Sequence, residues 1–256
     1  GPEIFLHSLR QVLGNLEGAI KVSALPYGVQ FVAGFLLTRP DRMARMMRDP
    51  AAMMQWAGPS ALGHLLNLVV LIVTSVWMAV AWHRYILKNE APTGFVPQFN
   101  QERLLAYFLR ALLIGLVCVV LGFVLGLFAG LIIYGVTYVT GAMMVSLFLS
   151  ALLVYFPVFV VGYRLSTALP GMAVDNPLPF MAGWEATQGQ NETFLWLAAI
   201  SALVMFVGGG LGILVFGGFM PLFLLWSLVF NWLAIMVGLS VLTTLYGHFI
   251  EKRDLQ

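Results

Sequence analysis

The chain has 256 residues, of which 61% are hydrophobic and only 9% are Asp, Glu, Lys or Arg, with a formal net charge of +2 and a mean hydropathy of +0.92. Too few charges are present to coat a soluble globule of this size, so the sequence describes an integral membrane protein. The small, scattered positive charge, with no basic run interleaved with aromatics, excludes a nucleic-acid partner.

A bilayer crossing takes about 20 mainly apolar residues, because about 30 Å of hydrocarbon is covered at about 1.5 Å per residue. Six stretches meet that requirement: 16–37, 61–86, 109–134, 137–163, 193–216 and 219–249. The opening Gly1-Pro2 reads as what a cleaved purification tag leaves behind, and no cleavable signal peptide is expected after it. Next comes FLHSLRQVLGNLEGAI, with Leu6, Leu9, Leu13, Leu16 and Ile20 spaced by three and four, and His7, Arg10, Gln11 and Asn15 opposite. That pattern predicts a helix lying along the membrane interface. Lys21 is the deepest cation of the first span, and Glu17, four residues earlier, offers it a partner.

The loop TRPDRMARMMRDPAAMMQWAG follows the first span. Arg42, Arg45 and Arg48 fall on one stripe and Met43, Met46 and Met47 elsewhere, with Trp56 at interfacial depth, so a short helix on the membrane surface is expected. The second span closes at His83 and Arg84 within HRYILKNEAP. The segment NQERLLAYFLRALL then predicts a second interfacial helix, capped by Asn100, with Glu102 and Arg103 in its first turn and Arg110 at the entrance to the third span. In the third span GFVLGLFAG places Gly122, Gly126 and Gly130 four apart, a ridge against which another helix can approach closely. A turn around Gly135 is expected to join the third and fourth spans, and Gly217 and Gly218 before Pro221 the fifth and sixth.

Between the fourth and fifth spans the apolar run breaks at YRLSTALPGMAVDNPLPFMAGWEATQGQNETF. Arg164 suits the end of a span, Pro170 and Gly171 should stop the helix, and residues 175–179 should turn. Phe180, Met181 and Trp184 then return to the interface. SLRQVLGN and WEATQGQN both end in asparagine just before an apolar run, at Asn15 and Asn191, which suggests three copies of an interfacial helix plus a hairpin.

Nine of the thirteen basic residues fall on the side that also carries both termini, against Arg39, Arg42, Arg45 and Arg48 on the other, which predicts cytoplasmic termini. On that side Arg84, Lys88, Arg103, Arg110 and Arg164, with Trp184 setting depth, form a collar expected to bind anionic phospholipid.

Reactive chemistry has little support. His7, His64, His83 and His248 lack metal-ligand spacing, so no metal and no cofactor is expected, and Cys118 reads as a core residue. GGGLG at 208–212 lies inside a span and reads as packing. None of the eleven carboxylates falls near mid-bilayer, where a charge costs about 2.5 to 3.5 kcal/mol and usually marks ion coupling. Mid-span polarity is confined to Asn67, Ser146, Ser150, Asn231 and Thr243, which suit either interhelical hydrogen bonds or a polar solute path.

The segment RLSTALPGMAVDNPLPFMAGWEATQGQNETFLWLAAI resembles the signature of a broad group of bacterial membrane proteins, similar to the membrane domain of some glycerophosphoryl diester phosphodiesterases and to YciC-type inner-membrane proteins. The residues that carry the resemblance are Arg164, Pro170, Asp175, Trp184, Thr187 and Asn191. It implies a six-span protein of the bacterial inner membrane and is almost silent on chemistry. The acidic and histidine motifs of the phosphodiesterase barrel are absent.

The sequence therefore predicts a single all-α domain over residues 1–256, a polytopic transmembrane bundle with three interfacial helices. Gly122, Gly126, Gly130, Asn67 and Asn231 are its helix-packing candidates. The expected role is a non-enzymatic accessory or scaffold that engages phospholipid, with a homo-oligomer or a membrane-protein partner. The alternative is a small-solute or lipid transporter with a cavity lined by Asn67, Ser150 and Asn231.

Overall fold

The computed structural model describes residues 1–38 and 61–255. The expected surface helix with Arg42, Arg45, Arg48 and Trp56 lies outside these residues. Among the described residues every regular element is helical: α1 (Pro2–Gly14), α2 (Leu16–Thr38), α3 (Ala61–Lys88), α4 (Gln101–Thr140), α5 (Met143–Ser166), α6 (Pro170–Ala173), α7 (Ala182–Ala186), α8 (Asn191–Phe216) and α9 (Met220–Leu245), followed by a π-helical turn at Tyr246–Ile250. Six helices are long and apolar enough to cross a membrane, so the chain is an all-α, multi-pass membrane protein.

Helix α1 divides its surface three ways. Ile4, Ser8 and Val12, spaced by four, are buried, and Ser8 donates to Thr244 Oγ1 at 3.0 Å while Ser240 donates to Gln11 Oε1 at 2.5 Å, which fastens α1 to the last turns of α9. The leucine stripe with Leu6 and Leu13 is turned away from the bundle, as a helix at the interface requires. Both chain ends thus meet at one end of the bundle. In α2, Lys21 donates to Glu17 at 2.6 Å, the pairing expected from their spacing.

Three expectations are corrected. First, the segment from Asn100 is not a separate interfacial helix. It runs without a break into the third span as a 40-residue helix, capped by Asn100, whose Oδ1 accepts the Arg103 N–H at 3.1 Å. At about 1.5 Å per residue this helix is about 60 Å long, twice the hydrocarbon thickness. Second, its turn falls at Gly141 rather than Gly135, because Gly141 has φ of +68° and its N–H returns to the Thr137 carbonyl. Gly135 and Thr137 stay helical. Third, Pro170 does not stop the chain's helical path. It begins the short turn α6, where a missing N–H costs nothing, and the reversal comes at Asp175, with φ of +62°. Because the second of the expected interfacial helices is the start of a span and the third is reduced to the five residues of α7, the three-copy repeat is not seen among the described residues.

Burial is lopsided. One cluster joins Ile4, Val12, Val22, Trp82, Phe194, Leu197, Val241 and Leu245. A second joins Val80, Leu104, Tyr107, Leu165 and Ala173. All of these lie in the half of the bundle that carries the termini. The far half exposes Phe123, Phe128, Phe206 and Leu214, the surface a bilayer would cover.

The two glycine motifs also exchange weight. A Cβ at Gly122 would touch Val158 at 3.6 Å, but at Gly126 and Gly130 it would meet nothing within 4 Å, so the ridge beyond Gly122 meets no neighbour among the described residues. Spacing every four residues makes a smooth face without fixing which way it turns. The close helix contact belongs to GGGLG: Gly208 and Gly212 are buried, Gly208 faces the Phe230 ring, and Trp226 Nε1 donates to the Gly208 carbonyl at 3.0 Å.

Candidate functional site

At the end of the bundle that carries the termini, four charged side chains form one network. Arg84 donates from Nε to Glu90 Oε2 at 2.7 Å, from Nη2 to Glu90 Oε1, and from Nη1 to Asp175 Oδ2 and the Ala173 carbonyl, both at 2.8 Å. Arg103 Nε donates to Asp175 Oδ1 at 2.7 Å. The local backbone makes this reachable. Asn89 (φ +54°) reverses the chain directly after α3 so that Glu90 folds back on Arg84, and Asp175 sits at its own left-handed turn after α6. Asn and Asp tolerate that conformation better than other non-glycine residues. The Arg84 guanidinium, aided by Arg103, holds the Asp175 carboxyl below the usual aspartate range against the opposing effect of burial.

The two arginines and two carboxylates sum to no net charge. Two of the five cations of the collar expected to attract anionic phospholipid, Arg84 and Arg103, are therefore neutralised from within, by Glu90 and Asp175. Beside the network opens a compartment of about 440 Å³, lined by Arg84, Glu90, Thr93, Gln98 and Arg103 over a floor that includes Val22 and Val80. The Arg103 side chain is 31% exposed, and its two terminal nitrogens take no hydrogen bond among the described residues.

An apolar groove of about 310 Å³ lies between α3 and α4, with Val69, Val73 and Val76 on one wall and Leu104, Leu105 and Phe108 on the other; it shares no lining residue with the compartment, although Gln98 and Asn100 of the compartment flank Phe99 of the groove in sequence. Val76 in the groove and Val80 and Arg84 in the compartment follow at intervals of four on α3. Phe99 lines the groove, held edge-on by Trp77 at 5.3 Å, and Trp77 Nε1 donates to the Gln98 carbonyl at 3.3 Å. A polar compartment and an apolar groove that follow one another along the same two helices at the end of a membrane bundle suit an amphiphile.

The remaining collar residues divide. Lys88 is exposed at the end of α3. Arg110 donates to the Leu178 carbonyl at 2.6 Å and lies 5.8 Å from the Phe180 ring centre. Arg164, expected to touch lipid, is instead 6% exposed. Its Nε donates to Thr187 Oγ1 at 3.0 Å, Nη1 to Asn191 Oδ1 at 3.0 Å and Nη2 to the Trp184 carbonyl at 3.1 Å, with the guanidinium 3.8 Å from the Trp184 ring centre. The residues on which the family resemblance rests thus largely form one clamp, closing α7 and the start of α8 onto α5. Gly183 completes it, since a Cβ there would lie 2.5 Å from the Arg164 carbonyl oxygen.

His83, expected at the end of the second span, is turned into the protein. It is fully buried, with Nδ1 2.8 Å from Thr243 Oγ1 and Nε2 3.1 Å from the Tyr107 hydroxyl. Thr243 already donates to the Leu239 carbonyl at 2.9 Å. The threonine oxygen is then free to accept from Nδ1–H, and Nε2 accepts from Tyr107, the assignment of a neutral ring. This triad ties α3, α4 and α9 together.

Asn67 and Asn231 do not hold helices together by hydrogen bonds between them. The Asn231 amide donates to Ser227 of its own helix at 2.7 Å, and Asn67 has no side-chain hydrogen bond among the described residues. Both line a separate cleft of about 310 Å³ with Tyr27, Gln30 and Ser227. Ser150 is not part of it. Glu90, Thr93, Gln98, Tyr27 and Gln30 escaped the sequence reading. Glu90, six residues after Arg84 across a helix end, was the one with a local signal.

No protein-family model, no curated protein and no solved structure matches the chain.

Proposed function

We propose that the protein is a non-enzymatic accessory or scaffold of the bacterial inner membrane, with both termini cytoplasmic, that holds a phospholipid at the junction of the charged compartment and the apolar groove. The observation that carries this reading is the succession of the two along the same helices: Val80 and Arg84 of α3 and Arg103 of α4 line the charged compartment, and Val76 and Leu104, next along those helices, line the apolar groove. A bound phospholipid stabilises only the folded chain, by about 2.7 kcal/mol at a hundredfold excess over Kd. Adding phospholipid to the detergent-purified full chain should therefore raise its unfolding temperature. Leu105→Trp, which fills the groove from an exposed position, should abolish the rise without changing the lipid-free value. Equal rises in parent and variant would remove the groove as the site.

One observation favours a second reading, a transporter of small solutes or lipids. Asn67, whose side chain takes no hydrogen bond among the described residues, meets the partly bonded amides of Gln30 and Asn231 in a cleft lined by no charged residue, where unpaired polar groups are costly. If the cleft is a path, Asn67→Leu abolishes uptake of its solute while leaving thermal stability unchanged. If it is not, that variant leaves transport intact or gains stability.

A further inference from the structure

Resting on the phospholipid reading, the charge arrangement points to a headgroup class: we propose that the compartment selects a zwitterionic phospholipid with a primary ammonium group, of the phosphatidylethanolamine kind, over anionic phospholipid. The two unpaired terminal nitrogens of Arg103 supply donors for one phosphate, in the fork geometry that suits it. Glu90 faces the same compartment, and its side chain is 42% exposed. Arg84 occupies one side of the Glu90 carboxylate through Nε and Nη2. Its outer lone pairs remain to accept N–H donors, since an ionised carboxylate offers about four acceptor sites. Thr93 and Gln98 add neutral hydrogen-bonding groups around it.

An anionic headgroup such as glycerol phosphate would satisfy Arg103 but bring its charge into a network whose positive charges are already spent on Glu90 and Asp175. Toward the outer lone pairs of Glu90 it could offer only neutral hydroxyls. A choline headgroup carries the cation but has no N–H to donate. Of the three headgroups only the primary ammonium gives Glu90 a charge-assisted donor while its phosphate meets Arg103, and the groove on the same two helices offers an apolar surface for the acyl chains.

The test titrates the full chain in detergent micelles with dioleoyl phosphatidylethanolamine, phosphatidylcholine or phosphatidylglycerol and measures lipid-dependent unfolding and the apparent Kd. The ethanolamine lipid should bind about tenfold more tightly than either of the others, the factor that one well-formed charge-assisted hydrogen bond supplies. Glu90→Gln should lower that preference to near unity, and Arg103→Gln should weaken all three lipids. Because Glu90→Gln also loosens Arg84, Thr93→Trp serves as a second variant: it touches no ion pair, fills the compartment, and should abolish the preference with lipid-free stability unchanged. Equal binding of the three lipids, or tighter binding of phosphatidylglycerol, overturns the headgroup assignment while the phospholipid reading stands. Absence of stabilisation by any of them overturns both.

Discussion

Arg164→Lys is expected to lower the unfolding temperature by on the order of 10 °C, from a loss of about 2 to 4 kcal/mol. The substitution keeps the charge, so its effect isolates geometry. The guanidinium reaches three partners in three directions, Thr187, Asn191 and the Trp184 carbonyl, while lying flat on the Trp184 ring. A single ammonium cannot do this, and it leaves buried acceptors without donors. No carboxylate pairs with Arg164 among the described residues, so the clamp is held by neutral acceptors and a ring face alone. Without it α7 should detach, and protease cleavage within residues 174–190 should become detectable under native conditions. Arg110→Gln makes the comparison, since Arg110 has one carbonyl partner and a more distant ring; its loss should stay near 1 kcal/mol. Equal stability of the two variants would show that the clamp contributes nothing beyond an ordinary surface contact.

Gly212→Leu should be comparably severe. A Cβ on Gly212 would lie 2.5 Å from Trp226 Cδ1 and 2.6 Å from its Nε1. The ring cannot retreat easily, because it stacks on Phe230 at 6.0 Å with planes 4° apart and packs against Phe216 at 5.5 Å. Overpacking costs about 1 to 3 kcal/mol, and displacing Trp226 also breaks its hydrogen bond to Gly208, worth about 1 kcal/mol. Gly126→Leu, at an exposed helical position where a Cβ meets nothing, should be neutral or slightly stabilising because leucine is the better helix former. Thermal unfolding of both in detergent decides the matter. Comparable losses would restore GFVLGLFAG as a packing surface and place its partner outside the single chain.

Features that depend on composition or on neighbours in sequence were legible. The six crossings follow from apolar run length, the Asn100 cap and the Glu17–Lys21 pair from spacing, and the break after Tyr163 from its prolines and polar residues. Features that depend on distant segments meeting were not. Nothing near Arg103 indicates that Asp175 will neutralise it, and nothing near His83 indicates that Thr243 and Tyr107 will enclose it. The turn was misplaced by six residues because Gly135 and Gly141 look alike in sequence, and only the second takes the left-handed conformation that ends a helix. Likewise, periodicity gave Gly126 a face but not a neighbour, whereas GGGLG acquired one because Trp226 and Phe230 return alongside it in the next helix.

The internal neutralisation of Arg84 and Arg103 by Glu90 and Asp175 has a consequence for how the site behaves in different media. A cluster with no net charge feels little pull from the potential of an anionic leaflet, which acts on unbalanced charge over roughly a Debye length, about 8 Å at physiological ionic strength. Recognition there operates only at hydrogen-bonding range. Raising the salt concentration should therefore leave lipid selection by the compartment nearly unchanged, unlike the binding of a polybasic segment, whose attraction fades as screening increases.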